Sequence, residues 1–178
     1  YRVVYFRYSS VRAKLTITSD ELHEFCKQFS SPVYLFCHSL GGLLALNMFL
    51  RHPDAISHRM VAVATPFQGS LVARKLAKIP GIGRRILGGA LDNGLLLGAG
   101  NMVPVNCEIG IIAGNFSVGI SSTLIGLPTP SDGTVAVAET HLSGAEHIEL
   151  PNIHTGLLFS SQVLDKADHF FKKGRFNE

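Results

Sequence analysis

Apolar residues fall in short bursts along this chain, and the spacing within each burst predicts its element. Val3, Val4, Tyr5 and Phe6 are strand formers in a row and predict a first strand over Arg2 to Arg7. Ser19-Asp20-Glu21 predicts a helix start. Leu22, Phe25, Cys26 and Phe29 then recur at i, i+3, i+4 and i+7, one stripe of an amphipathic helix that Ser30, Ser31 and Pro32 end. Val33 to Cys37 is continuously apolar and short, the pattern of a strand covered on both faces. From Gly41 to about Arg51 the chain is apolar nearly all round, which predicts a buried helix stopped by His52-Pro53-Asp54. Strands are expected at Arg59 to Ala64, Cys107 to Ala113 and Glu146 to Leu150. A helix is expected from the end of the loop Thr65 to Ser70 up to about Lys78, and an amphipathic one over Gly156 to Lys172. Pro80 to Pro104 is rich in glycine and leucine with little periodicity, and is taken as an irregular or helical insertion. Strands alternating with helices predict an α/β fold, a mostly parallel sheet with helices on both faces, in a single domain spanning 1–178.

Composition narrows the function classes. With 46% hydrophobic and 16% charged residues, the 178-residue chain is globular. A net charge of +3, scattered along the chain, does not predict nucleic-acid binding. Prolines, glycines and charges interrupt every apolar run short of a membrane span. Cys26, Cys37 and Cys107 are odd in number and widely spaced, so free thiols are expected, not disulfides or a metal site. The compartment stays open, free thiols leaning toward the cytoplasm. The chain starts at Tyr1, directly in strand-like sequence, and an upstream segment is expected.

The chemistry centres on Cys37-His38-Ser39-Leu40-Gly41-Gly42, between a predicted strand and a predicted helix. A serine there, flanked by small residues, marks a nucleophile elbow, a turn sharp enough to lift one hydroxyl above the sheet. Gly41 supplies the small downstream residue; Cys37 stands where the G-x-S-x-G pattern has glycine. A serine needs a base, and the base needs an orienting group. Of the eight histidines, His154 is best placed, a few residues past the last strand and before the final helix. His38 adjoins Ser39, and packing or a local hydrogen bond is its expected role. His23 and His169 fall on helices, His52 and His58 near a helix end and strand start, and His141 and His147 flank the last strand. Asp132, in Ser131-Asp132-Gly133-Thr134-Val135, is the best acid, with an ordinary Asp-Gly turn as its bland alternative. Glu139 is the fallback, and Asp92 lies in the insertion.

These stretches, with Thr65-Pro66-Phe67-Gln68-Gly69-Ser70 and Asn152-Ile153-His154-Thr155-Gly156, resemble a lipase or esterase of the α/β-hydrolase superfamily over most of the chain. The resemblance implies Ser39 as nucleophile, His154 as base, Asp132 as acid, and hydrolysis of carboxylic esters or lipids through an acyl-enzyme. It implies no metal and no organic cofactor. It also implies an oxyanion held by two backbone N–H groups, one of them Leu40's. The other comes from a loop usually marked by His-Gly, a pair this chain lacks, and the family's intervening strand is missing too. A truncated enzyme is the expectation, or a smaller sheet in which the first strand pairs directly with the elbow strand. An acyltransferase or thioesterase would use the same triad, and a non-catalytic binding module would keep the fold alone. Residues 80–104 are a possible cap over an acyl pocket, and Arg74, Lys75, Lys78, Arg84 and Arg85 a solvated face or a surface for an anionic substrate.

Overall fold

A computed structural model describes residues 1–9, 14–30, 32–55, 57–78, 96, 98, 106–117 and 126–177. Its elements run α1 (Leu15–Cys26), β1 (Val33–His38), α2 (Leu40–Arg51), β2 (Ser57–Val63), α3 (Leu71–Ala77), β3 (Glu108–Gly114), α4 (Val137–Thr140), β4 (Glu146–Leu150), a 3-10 turn (Gly156–Phe159) and α5 (Ser161–Lys173). The four strands form one sheet in the order β1-β2-β3-β4, every pair parallel. Parallel neighbours need crossovers, so each strand's C-terminal end points to the same rim, where the connecting loops gather.

Alternation along the strands sorts the core into two layers. Met60, Ala62, Ile109 and Ile111 pack with Leu22 and Cys26 of α1 and with Leu43, Leu46 and Met48 of α2. Val61, Val63 and Ile112 face the other way, onto Val163, Ala167, Phe170 and Phe171 of α5 and onto Phe176. Helices thus cover both faces, as expected. Gly110 shows how close α5 comes: a Cβ there would meet Phe176 Cζ at 2.7 Å and Phe170 at 2.8 Å.

Several boundaries differ from the sequence expectation. The segment Arg2 to Arg7 is not a strand. Residues 1–9 are irregular and pair with no strand of the described sheet. Tyr1 packs on Tyr34 and Phe171, while Phe6 packs on Phe25 and Tyr8, so this aromatic segment touches both core layers. Its strand-forming composition is satisfied by ring contacts instead of backbone pairing. Helix α1 begins at Leu15, four residues before the expected start, and Ser19 lies inside it. The Ser19 hydroxyl reaches Leu15 O one turn back and Asn47 Oδ1 of α2 at 2.8 Å, so a residue that resembles a cap serves the α1–α2 contact. The last helix begins at Ser161, because Ser160 caps it by accepting from Val163 N, and Gly156 to Phe159 form the separate 3-10 turn. His147 sits within β4. Of the insertion over 80–104, only Leu96 and Gly98 fall among the described residues; both touch the 65–70 loop or its neighbour Arg74. Asp92, Arg84 and Arg85 lie outside them.

Candidate active site

The turn from β1 to α2 carries a strained serine. Ser39 has φ 53 and ψ −122, a conformation that costs a side-chain-bearing residue about 1–3 kcal/mol and persists only when its surroundings hold it. Three hydrogen bonds do so here. Ser39 N donates to Val63 O at 2.8 Å, while Thr65 Oγ1 and Gly42 N donate to Ser39 O at 2.9 and 3.1 Å. Ala64, the neighbouring residue at the end of β2, also has a positive φ of 49. The need for a small residue falls one position later than the sequence suggested. A Cβ on Gly41 would find only ordinary contacts at 3.9 Å, whereas one on Gly42 would sit 2.1 Å from Thr65 Oγ1. Cys37 is accommodated at the glycine position. Burial, with Cys107 and Cys26 adding to it, pushes its thiol up to about 12, so it stays protonated at neutral pH and does not compete as a nucleophile.

Asp132 is 3% exposed and held from two sides. Its Oδ1 accepts from Thr134 N at 2.8 Å and Val135 N at 2.7 Å, an Asx turn over Gly133, whose φ is +90. Its Oδ2 lies 2.7 Å from His154 Nδ1. The expected acid and the bland Asp-Gly turn are therefore the same residue, one oxygen for each. A carboxylate only accepts, so Nδ1 of His154 carries the proton and Nε2 keeps its lone pair. His154 N also donates to Asp132 O at 3.0 Å, which ties the two loops together. Gly114, at the end of β3, makes room for both: a Cβ there would be 2.5 Å from Asn152 O and 2.7 Å from Asp132 Cβ.

The elbow meets this pair through His38. Its Nε2 donates to His154 O at 3.1 Å, and the two rings tilt against each other with centroids 4.6 Å apart. Burial and the neighbouring His154 lower the His38 pKa, which keeps it neutral. Packing or a local hydrogen bond was expected of His38 from sequence; its ring does pack, but its hydrogen bond is long-range, to a residue 116 positions away. Among the described residues no hydrogen bond joins Ser39 Oγ to His154 Nε2; in unliganded sites such bonds are often long and tighten around substrate. Leu40 is the first residue of α2, so its N–H has no partner within the helix. Glu139, the fallback acid, is engaged elsewhere. It is 7% exposed, and its oxygens accept from Leu71 N at 2.6 Å and Ala136 N at 2.9 Å.

A parallel sheet, helices on both faces and a strained serine between strand and helix are the features of the α/β-hydrolase fold, and comparison with solved structures agrees. The chain aligns with a Bacillus licheniformis lipase in its mature form at a TM-score of 0.67 and 19% identity, covering 90% of this chain and 73% of that one. It aligns with a metagenomic carboxyl esterase at 0.62 and 18%, covering 83% of this chain and 53% of that one, about half its length. A thermophilic esterase aligns at 0.58 and 15%, covering 90% and 72%. The chain therefore has the α/β-hydrolase fold. Residues 14–96, which include Ser39 and end before Asp132 and His154, match the family described as serine aminopeptidase, S33. No curated protein matches the chain.

Proposed function

We propose that this protein hydrolyses carboxylic esters through Ser39, His154 and Asp132, by way of an acyl-enzyme. The observation that carries the reading is the 2.7 Å contact between His154 Nδ1 and Asp132 Oδ2, tied to the elbow by the hydrogen bond from His38, the residue before Ser39, to His154 O. It leaves His154 Nε2 with its lone pair, free to act as a base. Ser39 Oγ attacks the ester carbonyl carbon while His154 Nε2 takes the hydroxyl proton. The imidazolium is stabilised by the Asp132 carboxylate, which two backbone N–H groups hold in place. The carbonyl oxygen gains the negative charge and accepts from Leu40 N–H. Collapse breaks the ester C–O bond, and the alcohol leaves with the proton from His154. Water then gives its proton to His154 and attacks the acyl carbon, releasing the acid and restoring Ser39.

A lipase- or esterase-like substrate, a small-molecule ester or a lipid, is favoured by the lipase and esterases among the structural neighbours. Exposed Phe116 follows β3, and exposed Ile153, Leu158 and Phe159 lie within five residues of His154 in sequence, apolar side chains of the kind an acyl chain would meet. The test is reaction with a fluorophosphonate probe and with short p-nitrophenyl esters. Labelling at Ser39, and loss of both labelling and hydrolysis in Ser39→Ala, is the expected result. Hydrolysis undiminished in that variant would refute the nucleophile; a folded protein that neither labels nor hydrolyses would point to a binding module.

A further inference from the structure

At the opposite end of α2 from Ser39, a second histidine cluster has the makings of a metal site. His23 lies on α1, and His52 and Asp54 follow α2 in the turn that leads to β2. One donor atom from each of the three lies within 4.8 Å of the other two. The His23 and His52 rings are parallel, 3° apart in plane with centroids at 4.0 Å.

Two further observations concern the nitrogens themselves. His23 is 8% exposed, and its Nδ1 is buried without any hydrogen-bond partner. Buried ring nitrogens rarely go unpaired, because desolvating a polar atom without compensation costs about 1–3 kcal/mol. His52 Nε2 lies 2.7 Å from Asp20 Oδ1. An acceptor-only partner makes that nitrogen the protonated one when the ring is neutral, which leaves Nδ1 of His52 with its lone pair. Asp20 is in turn held by Arg51, whose Nη2 and Nε donate to its two oxygens at 2.8 and 3.0 Å. A carboxylate behind a histidine is the arrangement that orients metal-ligating imidazoles.

We propose that His23, His52 and Asp54 bind one zinc-class divalent cation that clasps α1 to the turn after α2. Two imidazoles and one carboxylate suit Zn²⁺ and its borderline neighbours, and not Ca²⁺ or Mg²⁺, which take oxygen shells. Three protein ligands leave the fourth tetrahedral position for water. Tetrahedral bonds of about 2.0–2.1 Å put donor atoms about 3.3 Å apart, so the three close inward on binding. Parallel rings aim their lone pairs along parallel lines, so His23 and His52 tilt toward each other as the ion enters and Asp54, exposed and in a turn, moves in to meet them. The twelve residues of α2 span about 18 Å, so the clasp stands well away from the Ser39 chemistry and acts on stability.

The experiment is calorimetric titration of the full chain with ZnCl2 in metal-free buffer, alongside thermal unfolding and visible spectra with Co²⁺. One saturable equivalent, a rise in Tm and the d–d bands of tetrahedral Co²⁺ are expected. Asp54→Asn should weaken binding at least tenfold and remove most of the Tm rise, while leaving ester hydrolysis at 25 °C unchanged; His52→Gln should do the same to binding. Asp54 is exposed, so its variant keeps the test decisive if His52→Gln fails to fold. No stoichiometric uptake, or uptake that survives Asp54→Asn and is lost in His154→Ala, would overturn the site. Failure of the ester reaction would leave this result untouched, since its readouts are heat, Tm and spectrum.

Discussion

At the scale of single residues, the site depends on which atom of a side chain is already engaged. Asp132 uses Oδ1 for its own turn and Oδ2 for His154. Asp132→Asn keeps an acceptor for Thr134 N and Val135 N, so the loop should stay folded. The amide would face His154 Nδ1 with a donor and favour the wrong tautomer. Ester hydrolysis should then fall on the order of a thousandfold to ten-thousandfold, with little change in Tm. Equal loss of Tm and rate would mean that the carboxylate acts only on the loop. His38 was legible as a packing residue, but its grip on His154 O was not, since 116 residues separate them. Gly41 was credited with the tight packing that Gly42 provides, because the neighbour that sets the limit, Thr65, arrives from β2.

Strands were read most faithfully at the scale of elements. Glu146–Leu150 matches its expected bounds, and β1, β2 and β3 fall within two residues of theirs. Each is a short apolar or β-branched run between turn residues, a pattern local sequence carries by itself. Helix starts were misread where a serine had a tertiary task, as at Ser19. Strand β4 holds a pH-dependent contact. His147 Nε2 lies 2.8 Å from Thr140 Oγ1, and His141 stacks on its ring at 4.2 Å. Burial, then the His141 charge, lowers its pKa to about 4, against a smaller opposing effect of Glu149. The unfolded chain, with an ordinary histidine pKa near 6.5, binds more protons than the folded one between these values. His147 therefore contributes stability above about pH 6.5 that is lost as pH falls toward 4. Urea unfolding across that range should show the slope in the native protein and a shallower one in His147→Gln. Equal slopes would remove His147 as the cause.

Across the whole molecule, the elbow strand β1 is an edge strand of the described sheet, and among the described residues Tyr1 packs on its Tyr34. Edges with unpaired backbone groups invite pairing with another chain. Phe6 and Tyr8 also pack against the α1–α2 core layer. Removal of residues 1–9 should therefore lower Tm and raise self-association, measured by light scattering, and weaken fluorophosphonate labelling because Tyr8 OH lies near Gly41 of the elbow. A shortened chain as monodisperse as the native one would show that this segment does not protect the edge.

Sequence alone determined the parallel α/β class, the four strands of the described sheet and the serine at the turn between β1 and α2, because periodicity and turn chemistry are local properties. Tertiary structure decided what crosses the chain. It left Arg2 to Arg7 outside the described sheet, joined His154 to Asp132 and to His38, and set His23 beside His52. Those outcomes depend on which surfaces meet when α1, α2 and α5 close on the sheet, and no window of neighbouring residues contains that information.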